Sequence, residues 1–391
     1  MGARSYQIHS KPLTTITPNP AVLFESLPTQ GGLCWGVATL DAPATLNALS
    51  PAMVVALATQ LAHWATDPAV AGVVLQARGD KAFCAGGDIR QMYQQIYQEQ
   101  GGDPSRSPNA TVQGFFSAQY ALDYAIHTYP KPLLCWGHGI VMGGGLGLMA
   151  GASHRVVTPG SRLAMPEIGI GLYPDVGGSW FLRRMPGRVG LFLALTGAPL
   201  NATDALFCGL AEHALPHTDK TRVLHAITDT TWTPDAQANR ASLFRLLARQ
   251  APAALPASPV RTHFDQIQQL MAGEDLLDID TRLRSLQTDD PWLAGAAATY
   301  ARGCPTSAAL AFALWQRCLH LSLADVFRLE YTVSLGCCTH PNFAEGVRAL
   351  LVDKDRNPHW SPAQLAEVSP AWVQAHFQPR HTGTHPLASL V

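Results

Sequence analysis

The order of apolar segments predicts an α/β fold: a layered core over residues 20–213, which holds the active site, followed by a mainly helical region over 214–391. Three observations predict it. Short apolar runs bounded by polar residues alternate with helical patterns through the first half, the order expected of α/β layers. Two of these runs lead into glycine clusters. From about Ala214 the strand signal stops, and the 391 residues exceed the roughly 250–300 at which a single core usually ceases to grow.

A hairpin opens the fold, with strands at Ala21–Leu27 (AVLFESL) and Gly32–Leu40 (GLCWGVATL) joined across PTQG. Ser50 is placed to cap a helix whose first position is Pro51, and apolar residues follow on a helical period. Ala71–Ala77 (AGVVLQA) reads as a buried strand and ends at RGDKAFCAGGDIRQM. A polar loop around EQGGDPSRSPNA precedes an amphipathic helix over Val112–Tyr129. Leu133–Trp136 is a strand, a small-residue helix begins near Gly144, and His154–Thr158 is a further strand. Beyond Ala214, RASLFRLLARQ, FDQIQQLM, TSAALAFALWQRCLHL and SLADVFRLEYTVSLG read as helices. The Pro/Ala-rich Ala251–Val260 is a connector, and RALLVDKDRNPHWSPAQLAEV reads as a tail docked on the surface.

Composition excludes several functional classes. Hydrophobic residues are 47% and charged residues 14%, with 33 Gly and 29 Pro, a loop-rich globular chain and neither a coiled coil nor a disordered one. Net charge is −1 without a Lys/Arg cluster, so nucleic acid is not an expected partner. Eight scattered cysteines with no CxxC pair read as buried thiols of a reducing compartment, the adjacent Cys337 and Cys338 included. MGARSYQIHSKPLTT lacks an apolar targeting core and no apolar run reaches membrane-spanning length, so the expected place is the cytoplasm, with no membrane partner.

Between Leu163 and Leu182 the only charged side chains are Glu167 and Asp175. Acids are rarely buried unless paired or put to use. Either one alone reads as a capping or turn residue; together, beside two glycine clusters, they read as chemistry. CAGGD (Cys84–Asp88) and MGGGLG (Met142–Gly147) let backbone N–H groups approach a ligand, and a helix opening on the second cluster would point its first-turn donors outward. Two such donors converging on one point would make an oxyanion hole. Taken singly, either cluster reads first as an ordinary turn with close strand–helix packing. A dinucleotide fingerprint starting at Gly143 and Gly145 fails because Leu148 stands where the third glycine belongs, and no GxSxG or GxxxxGK[ST] motif occurs. His138 and His154 lack metal-ligand spacing and read as core or rim histidines. Trp180 and Phe181 read as packing residues.

KAFCAGGDIR, HGIVMGGGLGL, AMPEIGIGLYPDVGGSWFL, FLALTG and FAEGVRALLVDKDRNPHW occur in this order and together resemble the crotonase (enoyl-CoA hydratase/isomerase) superfamily from about residue 20 to residue 375. Within it they look like the 3-hydroxyisobutyryl-CoA hydrolase branch, whose C-terminal text ordinary short crotonases lack. The resemblance implies a crotonase-like spiral of ββα turns that binds an acyl-CoA thioester. By position the N–H groups of Gly87 and Gly144 match the family's oxyanion hole, with Gly86 and Gly143 beside them. The Ala85 carbonyl falls where the family meets the adenine, and Asp88 lies in the same loop; Lys81 and Arg90 bracket that loop, either toward CoA phosphates or solvated. Hydratases resemble this chain at Glu167 but carry a second glutamate at the place of Gly147 and a glycine at the place of Asp175, so Asp175 matches the hydrolase pattern.

The resemblance makes Glu167 either a nucleophile, forming an acyl-enzyme anhydride that water opens, or the general base toward that water. Asp175 would orient water or the substrate's 3-hydroxyl, or shuttle the proton, and two acids in one pocket should raise one pKa. Gln119 stands where the branch is expected to have a glutamate; an amide cannot act as a base, which bears on acyl preference. The leading reading is hydrolysis of a short 3-hydroxyacyl-CoA in valine catabolism, with 3-hydroxyisobutyryl-CoA first and 3-hydroxypropionyl-CoA next. Hydration or isomerisation of a short enoyl-CoA is the second, and a non-catalytic CoA-binding scaffold, which should have lost its carboxylates, the third. No metal or cofactor is expected, coenzyme A being part of the substrate. Crotonases commonly form trimers and hexamers, so a homo-oligomer is expected unless the C-terminal part covers that surface.

Overall fold

The computed structural model describes residues 21–100, 110–250, 254–381 and 383–391. Strands β1 (Val22–Pro28) and β2 (Cys34–Leu40) pair antiparallel, with Pro28 opposite Cys34, as the hairpin reading requires. Then come β3 (Val70–Ala77), β4 (Ala82–Cys84), β5 (Leu133–Gly137), β6 (Ile140–Met142), β7 (His154–Val157), β8 (Arg162–Ala164) and β9 (His213–Ala214). They sort into two sheets: a six-stranded one ordered β1-β2-β3-β5-β7-β9, parallel from β2 onward, and a three-stranded parallel one ordered β4-β6-β8. Three successive turns, β3-β4, β5-β6 and β7-β8, therefore lay one strand on each sheet before a helical segment, which is a ββα spiral.

Helix α1 (Pro51–Thr66) starts where expected: the Ser50 hydroxyl accepts from the Met53 amide at 3.3 Å, and Met53, Val54, Leu57, Leu61 and Trp64 form its buried face. Helix α2 (Ile89–Gln100) takes in Glu99 and Gln100, which the expected polar loop included. The rest of that loop, 101–109, lies outside the described residues. Helix α3 (Ala110–His127) runs two residues ahead of its expected span, and α4 (Gly144–Ala150) begins on the second glycine cluster. A short α5 (Gly178–Phe181) follows the Asp175 loop.

Past Ala214 the described elements are helical, among them Pro305–Arg317 and Leu323–Cys338. The expected connector falls partly on 251–253, outside the described residues, and its end is a helical turn, Pro259–Thr262, capped by Ser258. Arg348 of the tail gathers Glu345, Asp353 and Asp355 in an exposed ion-pair group.

One apolar cluster runs from Val22 to Leu390 and joins strands of the core to the C-terminal helices. A second covers the other face of the large sheet, packing Trp35, Val74, Trp136 and Val156 against Val223, Ile227, Trp232 and Leu243. Both faces of the parallel strands are therefore buried. All eight cysteines are free thiols and seven are buried. Among the described residues no helix is long and apolar enough to cross a membrane, and no group of three or more His, Cys, Asp or Glu is placed to hold a metal.

Candidate active site

The three chemistry-bearing segments follow the three neighbouring strands of the small sheet. After β4, the segment Ala85–Asp88 is pinned to the turn before α1: Ala85 N–H donates to Leu46 O (3.0 Å), Leu49 N–H to Gly86 O (2.8 Å) and Asp88 N–H to Leu49 O (2.9 Å). That turn is fixed in its own right by buried Asn47, whose amide donates to the carbonyls of Arg78 and Ala82. Gly86 sits at φ +110°, open to glycine but not to most residues. The Gly87 N–H is left without an acceptor among the described residues, as is the Ala85 carbonyl without a donor. The Asp88 carboxylate accepts from Gln91 N–H (3.1 Å), capping α2.

After β6, Gly143 turns the chain at φ +50° into α4, and its carbonyl takes the amides of Leu146 and Gly147. The Gly144 N–H, one of the free first-turn donors, likewise has no acceptor among the described residues. The two glycine loops touch. A methyl group on Gly144 would lie 3.4 Å from Gly87 N and 2.5 Å from Gln119 Nε2, and one on Gly86 would lie 3.8 Å from Gly144 N.

After β8, Pro166 leads into a short 3-10 turn at Glu167–Ile170. Glu167 is 5% exposed, its Oε1 lies 2.9 Å from where a Gly143 methyl would be, and its Oε2 is buried without a partner. Burial, then the nearby Asp175, hold its carboxyl well above the ordinary carboxylate range. Asp175 is equally buried, and burial pushes its carboxyl up to about 6 although the Tyr120 hydroxyl, donating at 2.5 Å, pulls the other way. The site thus combines two adjacent free N–H donors, the feature a developing oxyanion needs, with two coupled buried acids. It gathers Gly86, Gly87, Gly143, Gly144, Gln119 and Glu167 around one point and couples Asp175 to Glu167; Asp88 is turned toward α2. His138 bonds Gly79 O through Nε2, His154 bonds Ser153 and Arg240, and Arg90 reaches Leu351 O, so these side chains serve the scaffold.

Sequence reasoning missed the residues behind Asp175. Glu330, on the Leu323–Cys338 helix, is fully buried and accepts from the amides of Gly177 (2.7 Å) and Ser179 (2.9 Å), holding the loop that carries Asp175. Its carboxyl is pushed up to about 8 by burial, against the pull of the Gly177 amide. Tyr120 and Tyr173 both meet the Ser334 hydroxyl, at 2.7 and 2.9 Å. Asp123, one turn beyond Gln119 on α3, is fully buried with both oxygens unpartnered, so burial and then Asp175 hold it well above the carboxylate range. The test that picked out Glu167, an acid within an apolar run, applies equally to Glu330 in LEYTVSLGCC.

A family model described as enoyl-CoA hydratase/isomerase matches residues 35–377. The chain belongs to the enoyl-CoA hydratase/isomerase family. Among curated members of this family, it is 35% identical over 356 residues to "3-hydroxyisobutyryl-CoA hydrolase, mitochondrial" of Gallus gallus, covering 90% of this chain and 87% of that one. To the protein of the same description from Xenopus tropicalis it is 36% identical over 355 residues, covering 90% and 88%. A solved structure titled as an enoyl-CoA hydratase from Rhodobacter sphaeroides 2.4.1 superposes with a TM-score of 0.79 at 34% identity, over 92% of this chain and 97% of that one. Proteins carrying both kinds of name thus match this chain over nearly its whole length.

Proposed function

We propose that this chain hydrolyses a short 3-hydroxyacyl-CoA thioester, with 3-hydroxyisobutyryl-CoA the leading substrate and valine catabolism the setting. The single observation that carries the reading is the pair of adjacent amides at Gly87 and Gly144, without an acceptor among the described residues, beside buried Glu167 and Asp175. The two N–H groups would donate to the thioester oxygen as it becomes an oxyanion, a contribution of about 2.7–4 kcal/mol for each donor lost in comparable sites. Oxygen from water, directly with Glu167 as base or by way of a Glu167 anhydride, bonds to the acyl carbon; the C–S bond breaks and the thiolate of CoA takes up a proton. Asp175 would orient that water or the 3-hydroxyl, or carry the proton. The Ala85 carbonyl is available to the adenine, and the reaction calls for no metal or further cofactor.

A thiol-trapping assay on 3-hydroxyisobutyryl-CoA tests this directly. Release of CoA is the expected result, while loss of enoyl absorbance from a short enoyl-CoA without free thiol would replace the reading with hydration. Glu167→Gln should abolish turnover with CoA binding nearly intact, and Asp175→Gly should lower hydrolysis by roughly 10²-fold or more. We also propose that residues 20–213 carry the site and 214–391 form a covering helical region, that the chain works in the cytoplasm, and that it assembles with copies of itself; fractionation of the tagged chain and sedimentation check the last two.

A further inference from the structure

Behind Asp175 runs an unbroken line of hydroxyl groups. Asp175 Oδ2 meets Tyr120 Oη (2.5 Å), Tyr120 meets Ser334 Oγ (2.7 Å), Ser334 meets Tyr173 Oη (2.9 Å), and Tyr173 meets the Glu330 carbonyl oxygen (2.6 Å). Tyr120, Tyr173, Ser334 and Glu330 are all 0% exposed, so water cannot substitute for a missing partner. The line has four gaps but only three hydroxyl protons, because each phenol and the serine own one apiece.

That inventory gives Asp175 a partner in either state. With Asp175 ionised, Tyr120 donates to the carboxylate and Tyr173 to the Glu330 carbonyl, and the single Ser334 proton fills one of the two gaps beside it, so one gap stays without a proton. With Asp175 protonated, the acid donates to Tyr120, Tyr120 to Ser334, Ser334 to Tyr173 and Tyr173 to that carbonyl, and all four gaps are filled. Apart from the proton gained on Asp175, no O–H bond forms or breaks in passing from one to the other; Tyr120 and Ser334 rotate and keep their protons. We propose that Tyr120, Ser334 and Tyr173 are positioning residues forming a reversible hydroxyl line that satisfies Asp175 both with and without its proton, so that it can take up and return one within each turnover.

This deepens the hydrolase reading, in which Asp175 handles a proton, and rests on it for its purpose but not for its test. The other titratable groups that feel the Asp175 charge are Asp123 of α3, Glu167, and Glu330, Cys337 and Cys338 of the Leu323–Cys338 helix; with the two tyrosines they are all acids, phenols or thiols. None of them is altered by the substitutions below other than Tyr120 itself.

The line demands shifts of opposite sign. Tyr120→Phe keeps the ring and removes the donor to the carboxylate, so the proton should stay on Asp175 to higher pH, by about one unit above the starting value near 6. Ser334→Ala leaves that donor but removes its alternative acceptor, so Tyr120 can no longer turn away when Asp175 is protonated; the titration should move down by about half a unit. The readout is an infrared titration of the buried carboxylic C=O band in the full-length, substrate-free protein, assigned with Asp175→Asn, followed by the acid limb of kcat against pH. Opposite shifts with KM for the thioester unchanged support the line. Shifts of the same sign, or none in either variant, overturn it. If the infrared shifts are opposite and no thioester is hydrolysed, the hydroxyl line stands and the proposed reaction falls.

Discussion

Gly143 shows how tightly the site is drawn around single atoms. Its φ of +50° disfavours any side chain, and a methyl there would come within 2.9 Å of Glu167 Oε1. Left-handed backbone costs a non-glycine residue roughly 1–2 kcal/mol, and here the side chain would also displace the carboxylate. Gly143→Ala should therefore lower kcat for thioester hydrolysis at least about tenfold while calorimetry finds CoA affinity little changed. At this scale much was legible in the sequence. Glu167 and Asp175 announced themselves as the sole charges in an apolar stretch, and the glycine clusters as places where backbone approaches something closely. Asp123 went unread although it is the lone acid of the apolar run YALDYAI, because it lies on α3, away from both glycine clusters and the Glu167 segment, and only the fold, which packs α3 between α1 and the Leu323–Cys338 helix, brings it near Asp175.

The loop from Pro174 to Gly178 is an element held from outside itself. Val176 and Gly177 are both left-handed, at φ +52° and +85°, and for a β-branched residue that is a strained state worth on the order of 1–3 kcal/mol. The two bonds from Gly177 and Ser179 to Glu330 hold it in place. Glu330→Gln keeps the shape but turns one acceptor into a donor facing an N–H, which should cost about 1–3 kcal/mol in urea unfolding. Turnover should fall with it, since Asp175 is carried on the same loop, whereas CoA affinity measured by calorimetry should hold. The long strands and α1 could be read from periodicity and capping. The small sheet could not: its strands are three residues each, shorter than any alternation pattern, and they form a sheet only because successive turns stack them. The strands that were illegible are the ones that line up Gly87, Gly144 and Glu167.

Across the whole molecule, burial of ionisable groups gives stability a characteristic dependence on pH. His127, His138 and His376 are pushed down to about 4, chiefly by burial, so they favour the folded state progressively from about pH 4 to 6.5 and add nothing beyond. Glu330, pushed up to about 8, keeps a proton that the unfolded chain has released above about 4.5, and the upward shift of Glu167 acts in the same direction. The Glu330 contribution falls as pH rises toward 8, at up to about 1.4 kcal/mol per pH unit for each extra proton bound by the native state. Above 6.5 the acids act without opposition from these histidines, so the urea midpoint should decline between pH 6.5 and 8. Glu330→Gln should flatten that decline; a midpoint rising over this interval would contradict the arrangement of buried acids. A methyl on Gly147 would sit 2.7 Å from Val176 Cβ and 3.1 Å from its carbonyl oxygen, directly beside Asp175. One volume therefore cannot hold both a side chain at 147 and the present course of the Asp175 loop. An evolutionary path from this acid arrangement to one with a carboxylate on α4 would have to cross a step with neither in working order, unless both positions changed together, and sister activities on this scaffold would stay apart for that steric reason.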